Sequence, residues 1–156
     1  MNVEIVTPRG AAYAGEAEEI RAPGGAGEFG ILPGHVPFLS SLRPGVLRLW
    51  RGGQKLEFAV ANGFVQVGAG ERIIVLTEAC LTPAEIDLDA ARRELEDATS
   101  RLARWDREIN ADWYELEARR AWADARVETK TGEYMQGGIG ARNAPNVPAS
   151  PPNPAF

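Results

Sequence analysis

The sequence predicts an all-β N-terminal domain of antiparallel strands, a sandwich or barrel, followed by an α-helical hairpin and a disordered, proline-rich tail. Three observations predict it. Glycine and proline punctuate short apolar runs throughout the first half of the chain. Near Thr82 the apolar period changes from two to alternating steps of three and four. Beyond Thr131 the prolines cluster, at Pro145, Pro148, Pro151, Pro152 and Pro154, and large apolar side chains almost vanish. The expected segments are 1–81, 82–130 and 131–156.

In the first segment, Lys55-Leu56-Glu57-Phe58-Ala59-Val60 alternates as a half-buried strand does. Val65 and Val67 share one face of the next run, and Ile73-Ile74-Val75-Leu76 is a continuous apolar run. Turn chemistry separates such runs at Pro23-Gly24-Gly25, Pro33-Gly34, Pro44-Gly45, Gly52-Gly53, Asn62-Gly63 and Gly68-Ala69-Gly70. Turns this frequent leave no room for helical crossovers between parallel strands.

The second segment opens on Thr82-Pro83-Ala84-Glu85, a capping box with proline at the first helical position. Leu88, Ala91, Leu95, Ala98, Leu102, Trp105 and Ile109 then form a narrow apolar seam. After a break near Asn110, Asp112-Trp113-Tyr114-Glu115 offers a second capping box. Trp113, Leu116, Ala123 and Val127 mark a second stripe, interrupted by Arg120. Acid-to-base pairs four apart are expected at Asp89/Arg93, Asp97/Arg101 and Glu115/Arg119. The third segment has too little apolar surface to offset the entropy of ordering, so disorder is expected, with a polyproline ligand as the alternative.

Composition narrows the function. The formal charge of -5 disfavours sequence-independent nucleic-acid binding. The start, MNVEIVTPRG, lacks the features of a secretory signal or transit peptide. No run approaches the roughly 18 apolar residues of a membrane span, so membrane association is expected only through a partner. The single cysteine, Cys80, excludes an internal disulfide or a cysteine cluster for metal. His35 is the one histidine, so a hydrolytic arrangement would have to combine it with Ser40, Ser41 or Cys80, and no nucleophile-elbow motif accompanies them. The phosphate-loop pattern is absent, and Gly24, Gly25 and Gly27 lie in no strand-turn-helix unit. No catalytic residue and no metal site is predicted.

The stretch Gly27-Glu28-Phe29-Gly30-Ile31-Leu32-Pro33-Gly34-His35-Val36-Pro37-Phe38-Leu39 carries more apolar surface than a solvated loop needs. Two readings stay open: a pair of short buried strands joined by a turn, or such strands with an exposed edge that docks a partner.

This stretch, with Leu42-Arg43-Pro44-Gly45 after it, resembles the signature of the F-type ATP synthase epsilon subunit. Only Phe38 departs, standing where leucine is usual. Val3-Glu4-Ile5-Val6-Thr7-Pro8 resembles the family's first strand. Val60-Ala61-Asn62-Gly63-Phe64-Val65-Gln66-Val67 resembles its glycine-centred hairpin, and Val75-Leu76-Thr77-Glu78-Ala79-Cys80 its last strand. The two-helix segment matches in position and length. The resemblance covers residues 2–130 and leaves the tail outside.

The resemblance implies a ten-stranded sandwich with a C-terminal helical hairpin, in a non-catalytic rotor subunit of a proton-translocating synthase. Its expected partners are the gamma subunit, the c-ring and, through the hairpin, the alpha/beta catalytic head. Its expected location is the cytoplasmic face of a bacterial inner membrane, peripherally attached. The implied partner-binding residues are Glu28, Phe29, Ile31, Leu32, Pro33, Gly34, His35 and Pro37. Glu28 is expected to face the c-ring and His35 to lie near gamma. The hairpin is expected to inhibit ATP hydrolysis when extended, with Arg92, Arg93, Arg101, Arg104, Arg119, Arg120 and Arg126 as candidate contacts to acidic surfaces. Its alanine-rich seam suits reversible docking. Some family members bind ATP on the hairpin through [IL]-D-x-x-R-A. Leu88-Asp89-Ala90-Ala91-Arg92-Arg93 matches only in part, so no cofactor is predicted, and Asp89 and Arg92 are the nearest ATP candidates. The alternatives are the equivalent subunit of a sodium-translocating complex, a free-standing β-sandwich binding module with a helical interaction hairpin, and a hydrolase using His35.

Overall fold

The computed structural model describes residues 1–132. The expected tail lies outside the described residues, apart from Thr131 and Gly132, which close the last helix. Ten strands come first: β1 Asn2–Thr7, β2 Gly10–Glu16, β3 Glu19–Gly24, β4 Gly27–Ile31, β5 Phe38–Leu42, β6 Gly45–Arg51, β7 Gln54–Val60, β8 Gly63–Val67, β9 Arg72–Thr77 and β10 Cys80–Leu81. Helices α1, Leu88–Ala103, and α2, Ala111–Thr131, follow.

The strands form a continuous hydrogen-bonded path in the order β10-β7-β6-β3-β5-β8-β9-β1-β2, with β4 paired to β3. The path folds over on itself so that two layers face each other. Val3, Ile5, Ile20, Ile31, Leu47, Leu49, Val65, Ile73 and Val75 pack between them. The Tyr13 and Phe58 rings, from β2 and β7, meet there at 5.4 Å. Pairing is antiparallel except for β1 and β9, which run parallel from Asn2↔Arg72 to Val6↔Leu76. That one parallel pair is an exception within the expected antiparallel domain. A parallel pair needs a long connection, and seven strands of the sandwich supply it without any α-helix.

Turn chemistry placed most strand ends correctly, and Gly52 and Gly53 join β6 to β7 with φ of 56° and 75°. Two turns differ from expectation. Pro23 is buried within β3, and the turn falls after Gly24. Asn62-Gly63 is no hairpin: β7 pairs with β6 and β10, whereas β8 pairs with β5 and β9. The chain crosses there from one layer to the other. Glycine is required at 63 by close approach, since a Cβ there would lie 1.9 Å from the Leu76 carbonyl oxygen. The buried Thr77 hydroxyl donates into a group of carbonyls, Ala61, Asn62 and Ala79, each at 3.1 Å, and pins the crossover. Val75–Cys80 is likewise not one strand but the end of β9 and the turn into the two-residue β10.

The capping box at Thr82 and Glu85 forms, but on a single 3₁₀ turn, Pro83–Glu85. The α-helix starts later, where the Asp87 carboxylate accepts the Ala90 amide at 2.9 Å. Ile86 between the two caps is buried with an extended backbone, φ -83° and ψ 122°, so the 3₁₀ turn and α1 do not join. Asn110, not Asp112, caps α2, its side chain accepting the Trp113 amide at 3.2 Å. The first seam stops early: α1 ends at Ala103, and Ile109 lies exposed in the loop.

The helices are stacked as layers on one side of the sandwich. Helix α2 packs on β6 and β7, and α1 packs chiefly on α2. By strand register, Val46 and Ala59 point away from the sandwich core, yet both are buried, because α2 covers them. A helix between two partners needs two apolar faces. Ala123 and Val127 belong to the stripe expected from sequence, while the burial of Ala125 and Thr129 marks the second face.

Candidate protein-docking surfaces

The Gly27–Leu39 segment is built from β4, a turn and the start of β5. Ile31 is wholly buried in the core, so its side chain has no surface to offer a partner, and its inclusion among the docking residues is corrected on that ground. Phe29 is half-buried, edge-on to Phe38 at 5.6 Å. Leu32, Pro33, Gly34, His35, Val36 and Pro37 are all exposed. The turn is nevertheless held firmly. The His35 amide donates to the Leu32 carbonyl at 3.0 Å, and Gly34 adopts a φ of 80° that favours glycine. Glu71 reaches across from the β8–β9 turn, its carboxylate accepting the Gly34 amide at 2.9 Å and standing 3.9 Å from the N-terminal ammonium. Glu71 itself has a φ of 59°, an uncommon conformation for a residue other than glycine. The segment is thus a pair of partly buried strands carrying a braced, exposed apolar turn.

His35 lies in this turn with its Nδ1 donating to the Val36 carbonyl at 2.9 Å and its ring 4.7 Å from that of Phe38. Among the described residues no hydroxyl or thiol is bonded to it. Ser40 donates to the Ser41 carbonyl instead. Cys80 sits near Glu85, and burial with that negative neighbour pushes its thiol up to about 11, so the reactive thiolate is scarce at neutral pH.

Sequence reasoning missed a second apolar surface. Register places Ser41, Phe64, Leu76 and Val6 side by side across β5, β8, β9 and β1, all pointing out of the sandwich. Leu39 and Ile74 lie in the next row. Phe64 is 54% exposed, Leu76 51% and Leu39 68%, values typical of polar surface. An open depression of about 570 Å³ lies beside them, floored by Leu42, Gly63 and Thr77. The opposite layer has its outer face covered by α2, whereas this one has no cover among the described residues. The signal was present in Ile73-Ile74-Val75-Leu76: a continuous apolar run in a mainly antiparallel sandwich puts apolar side chains on the outer face as well as the inner.

The hairpin arginines divide into two groups. Arg120 pairs with Glu117 at 2.7 Å and Asp124 at 3.7 Å. Its hydrogen bond to Glu117 raises its pKa further, whereas burial lifts that of Asp124. Arg126 pairs with Glu94 of α1 and lies over the Trp122 ring at 5.2 Å. These two belong to the docked hairpin. Arg101 holds Asp97 loosely at 3.6 Å, and Arg92, Arg93, Arg104 and Arg119 are exposed with no ion pair among the described residues. The expected Asp89/Arg93 and Glu115/Arg119 pairs do not close. Exposed long side chains gain little by pairing. Asp89 and Arg92 are both exposed to solvent.

One charged cluster joins the sandwich to the hairpin. Arg48 of β6 donates to Glu28 of β4 at 2.8 Å and to Glu57 of β7 at 3.1 Å, and it also pairs with Glu128 of α2. Lys55 approaches Glu57 at 2.9 Å. Burial raises the pKa of Glu128 against the pull of Arg48. The surrounding carboxylates outweigh burial at Arg48 and hold it charged.

Residues 1–83 match the family model of the ATP synthase delta/epsilon chain β-sandwich domain. An ATP synthase epsilon chain of Desulforudis audaxviator is 48% identical over 101 residues, 65% of this chain and 73% of the relative. One of Myxococcus xanthus is 42% identical over 102 residues, 65% of this chain and 74% of the relative. Among solved structures, a chain of the Euglena gracilis mitochondrial ATP synthase aligns with a TM-score of 0.67 at 21% identity, covering 81% of this chain and 78% of its own. A chain of the Tetrahymena thermophila mitochondrial ATP synthase central stalk and c-ring aligns at 0.61 and 19% identity, covering 84% and 96%. These two likenesses show the shared fold.

Proposed function

Because this chain belongs to the ATP synthase delta/epsilon family, we propose that it is a central-stalk subunit that couples the c-ring to gamma and the catalytic head, with its helical hairpin restraining ATP hydrolysis. The observation that carries the reading is the uncovered apolar row Phe64–Leu76–Val6, with exposed Leu39 in the neighbouring row opposite Gln66 and on the same domain as the braced turn of Leu32 and Val36. A soluble domain seldom leaves such a row facing water without a partner. The row takes the gamma subunit, and the Glu28 end of β4 faces the polar loops of the c-ring. The complex sits at the cytoplasmic face of a bacterial inner membrane and moves protons, an ion choice made in the c-ring and not in this chain.

A block that transmits torque must not shear. The dense core between the two layers resists deformation because its side chains interlock, and the Glu71 bridge ties the exposed turn to that core. The hairpin is fastened differently, through one helix resting on two small side chains, Val46 and Ala59, and one ion-pair cluster. That attachment suits a reversible arm.

The test is co-purification with gamma. Phe64→Asp and Leu76→Asp place carboxylates in the proposed contact while facing solvent in the free chain. Their thermal transition should stay near the wild-type value, and gamma binding should fall at least roughly tenfold, as charge at the centre of an apolar contact does. Unchanged gamma binding by both variants would remove this surface from the reading.

A further inference from the structure

We propose that Arg48 is the gate of the hairpin: one guanidinium that holds three carboxylates together across the junction of sandwich and helix, so that α2 stays docked only while Arg48 remains among them. The inference rests on the proposed reading that the hairpin leaves the sandwich, and it names what controls the departure.

The arrangement is lopsided. Glu28 and Glu57 approach from the sheet and Glu128 from α2, and all three meet the same side chain. The Arg48–Glu128 contact is the one ion pair among the described residues that links α2 to the sandwich. The other charged groups nearby do not replace it. Lys55 is engaged with Glu57 on the same strand, and Arg120 with Glu117 and Asp124 on α2 itself. Asp124 adds a further negative charge that acts on Glu128. The side chains of Arg48, Glu57 and Glu128 are 21%, 18% and 15% exposed, so water screens the cluster only in part.

Removing Arg48 therefore does more than delete one bond. It leaves two sheet carboxylates opposite a helix carboxylate in a half-buried seam, and like charges in such a place repel. The least costly relief is for α2 to lift, because the sandwich is held by its own core and α2 by Val46 and Ala59. Removing Glu128 has the opposite character. It leaves Arg48 satisfied by Glu28 and Glu57, and it ends the desolvation of a carboxylate. Breaking a buried pair is harmful where it strands an unpaired charge; Glu128 removal strands none, because Arg48 keeps two partners, and replacing both Arg48 and Glu128 by apolar residues is commonly neutral or better. Glu28 also lies at the proposed c-ring edge, so the c-ring-facing side of the block and the hairpin share one guanidinium.

Hydrogen exchange of the α2 amides in the full-length chain tests the gate. Protection factors allow comparison across pH, and the β-strand amides report whether the sandwich is intact. Arg48→Met should lower α2 protection by roughly tenfold or more while strand protection holds. Glu128→Gln should leave α2 protection at or above the wild-type level. The double variant Arg48→Met/Glu128→Met should restore it, which keeps the test decisive should the single variant fold poorly. Lowering the pH should also restore docking in Arg48→Met, as the carboxylates neutralise; loss of mere packing would show no such recovery. Unchanged α2 protection in Arg48→Met, or a double variant as loose as the single one, overturns the gate. Loosened α2 with unaltered ATP hydrolysis in the assembled complex supports the gate and refutes the inhibitory reading of the hairpin.

Discussion

At the residue scale, chemistry follows local surroundings more than residue type. Cys80 is a thiol by identity but a poor nucleophile by placement, since burial and Glu85 push its pKa up to about 11. A thiol with a raised pKa is stabilised in its protonated form, so this contribution to folding is complete at neutral pH and fades only as alkali approaches that value. Native protein at pH 8 should react with a thiol reagent at least roughly tenfold slower than the urea-unfolded chain. Equal rates in the two states would mean the site is open and its thiol unperturbed. Residue identity in the sequence could not reveal this, because the burial comes from the β10–β7 pairing and the turn of Pro83–Glu85. Phe64 and Leu76 escaped notice for a related reason. Each lies in a run with well-buried neighbours, Val65 and Val75, and only the register of β8 on β9 puts both on one outer face.

At the scale of elements, periodicity and turn chemistry made the strands, the change of period at Thr82 and both helices legible. Connectivity was not legible. Asn62-Gly63 has the composition of a hairpin turn yet joins strands in different layers, since what demands glycine there is the Leu76 backbone pressing on the chain from β9. The parallel pairing of β1 with β9 was hidden for the same cause, as contacts between distant strands leave little local trace. In α2 the stripe of Leu116, Ala123 and Val127 was visible, but the second buried face was carried by Ala125 and Thr129, small residues that give weak periodic signals. That small-residue packing sets a prediction. Ala123 is fully buried, and Ala123→Leu should overpack the helix layers at a cost of about 1–3 kcal/mol. Hydrogen exchange should quicken in α1 and α2 and not in the strands. Equal quickening throughout would show that hairpin and sandwich unfold as one unit.

At the scale of the whole molecule, the two parts differ in how they are held, and the difference matches their proposed tasks. The sandwich has a large apolar core with a pinned crossover and a braced, exposed turn; the hairpin rests outside it on small side chains and one charged cluster. The proposed rigid block and detachable arm correspond to that contrast. The most direct measurement uses a synthase complex depleted of its epsilon-type subunit and reconstituted into vesicles with this chain. The account predicts that the full chain restores ATP-driven proton pumping and lowers the rate of hydrolysis, and that a chain ending before α1 at Asp87 restores pumping without lowering hydrolysis. A complex that pumps no better with the full chain than without it would contradict the account.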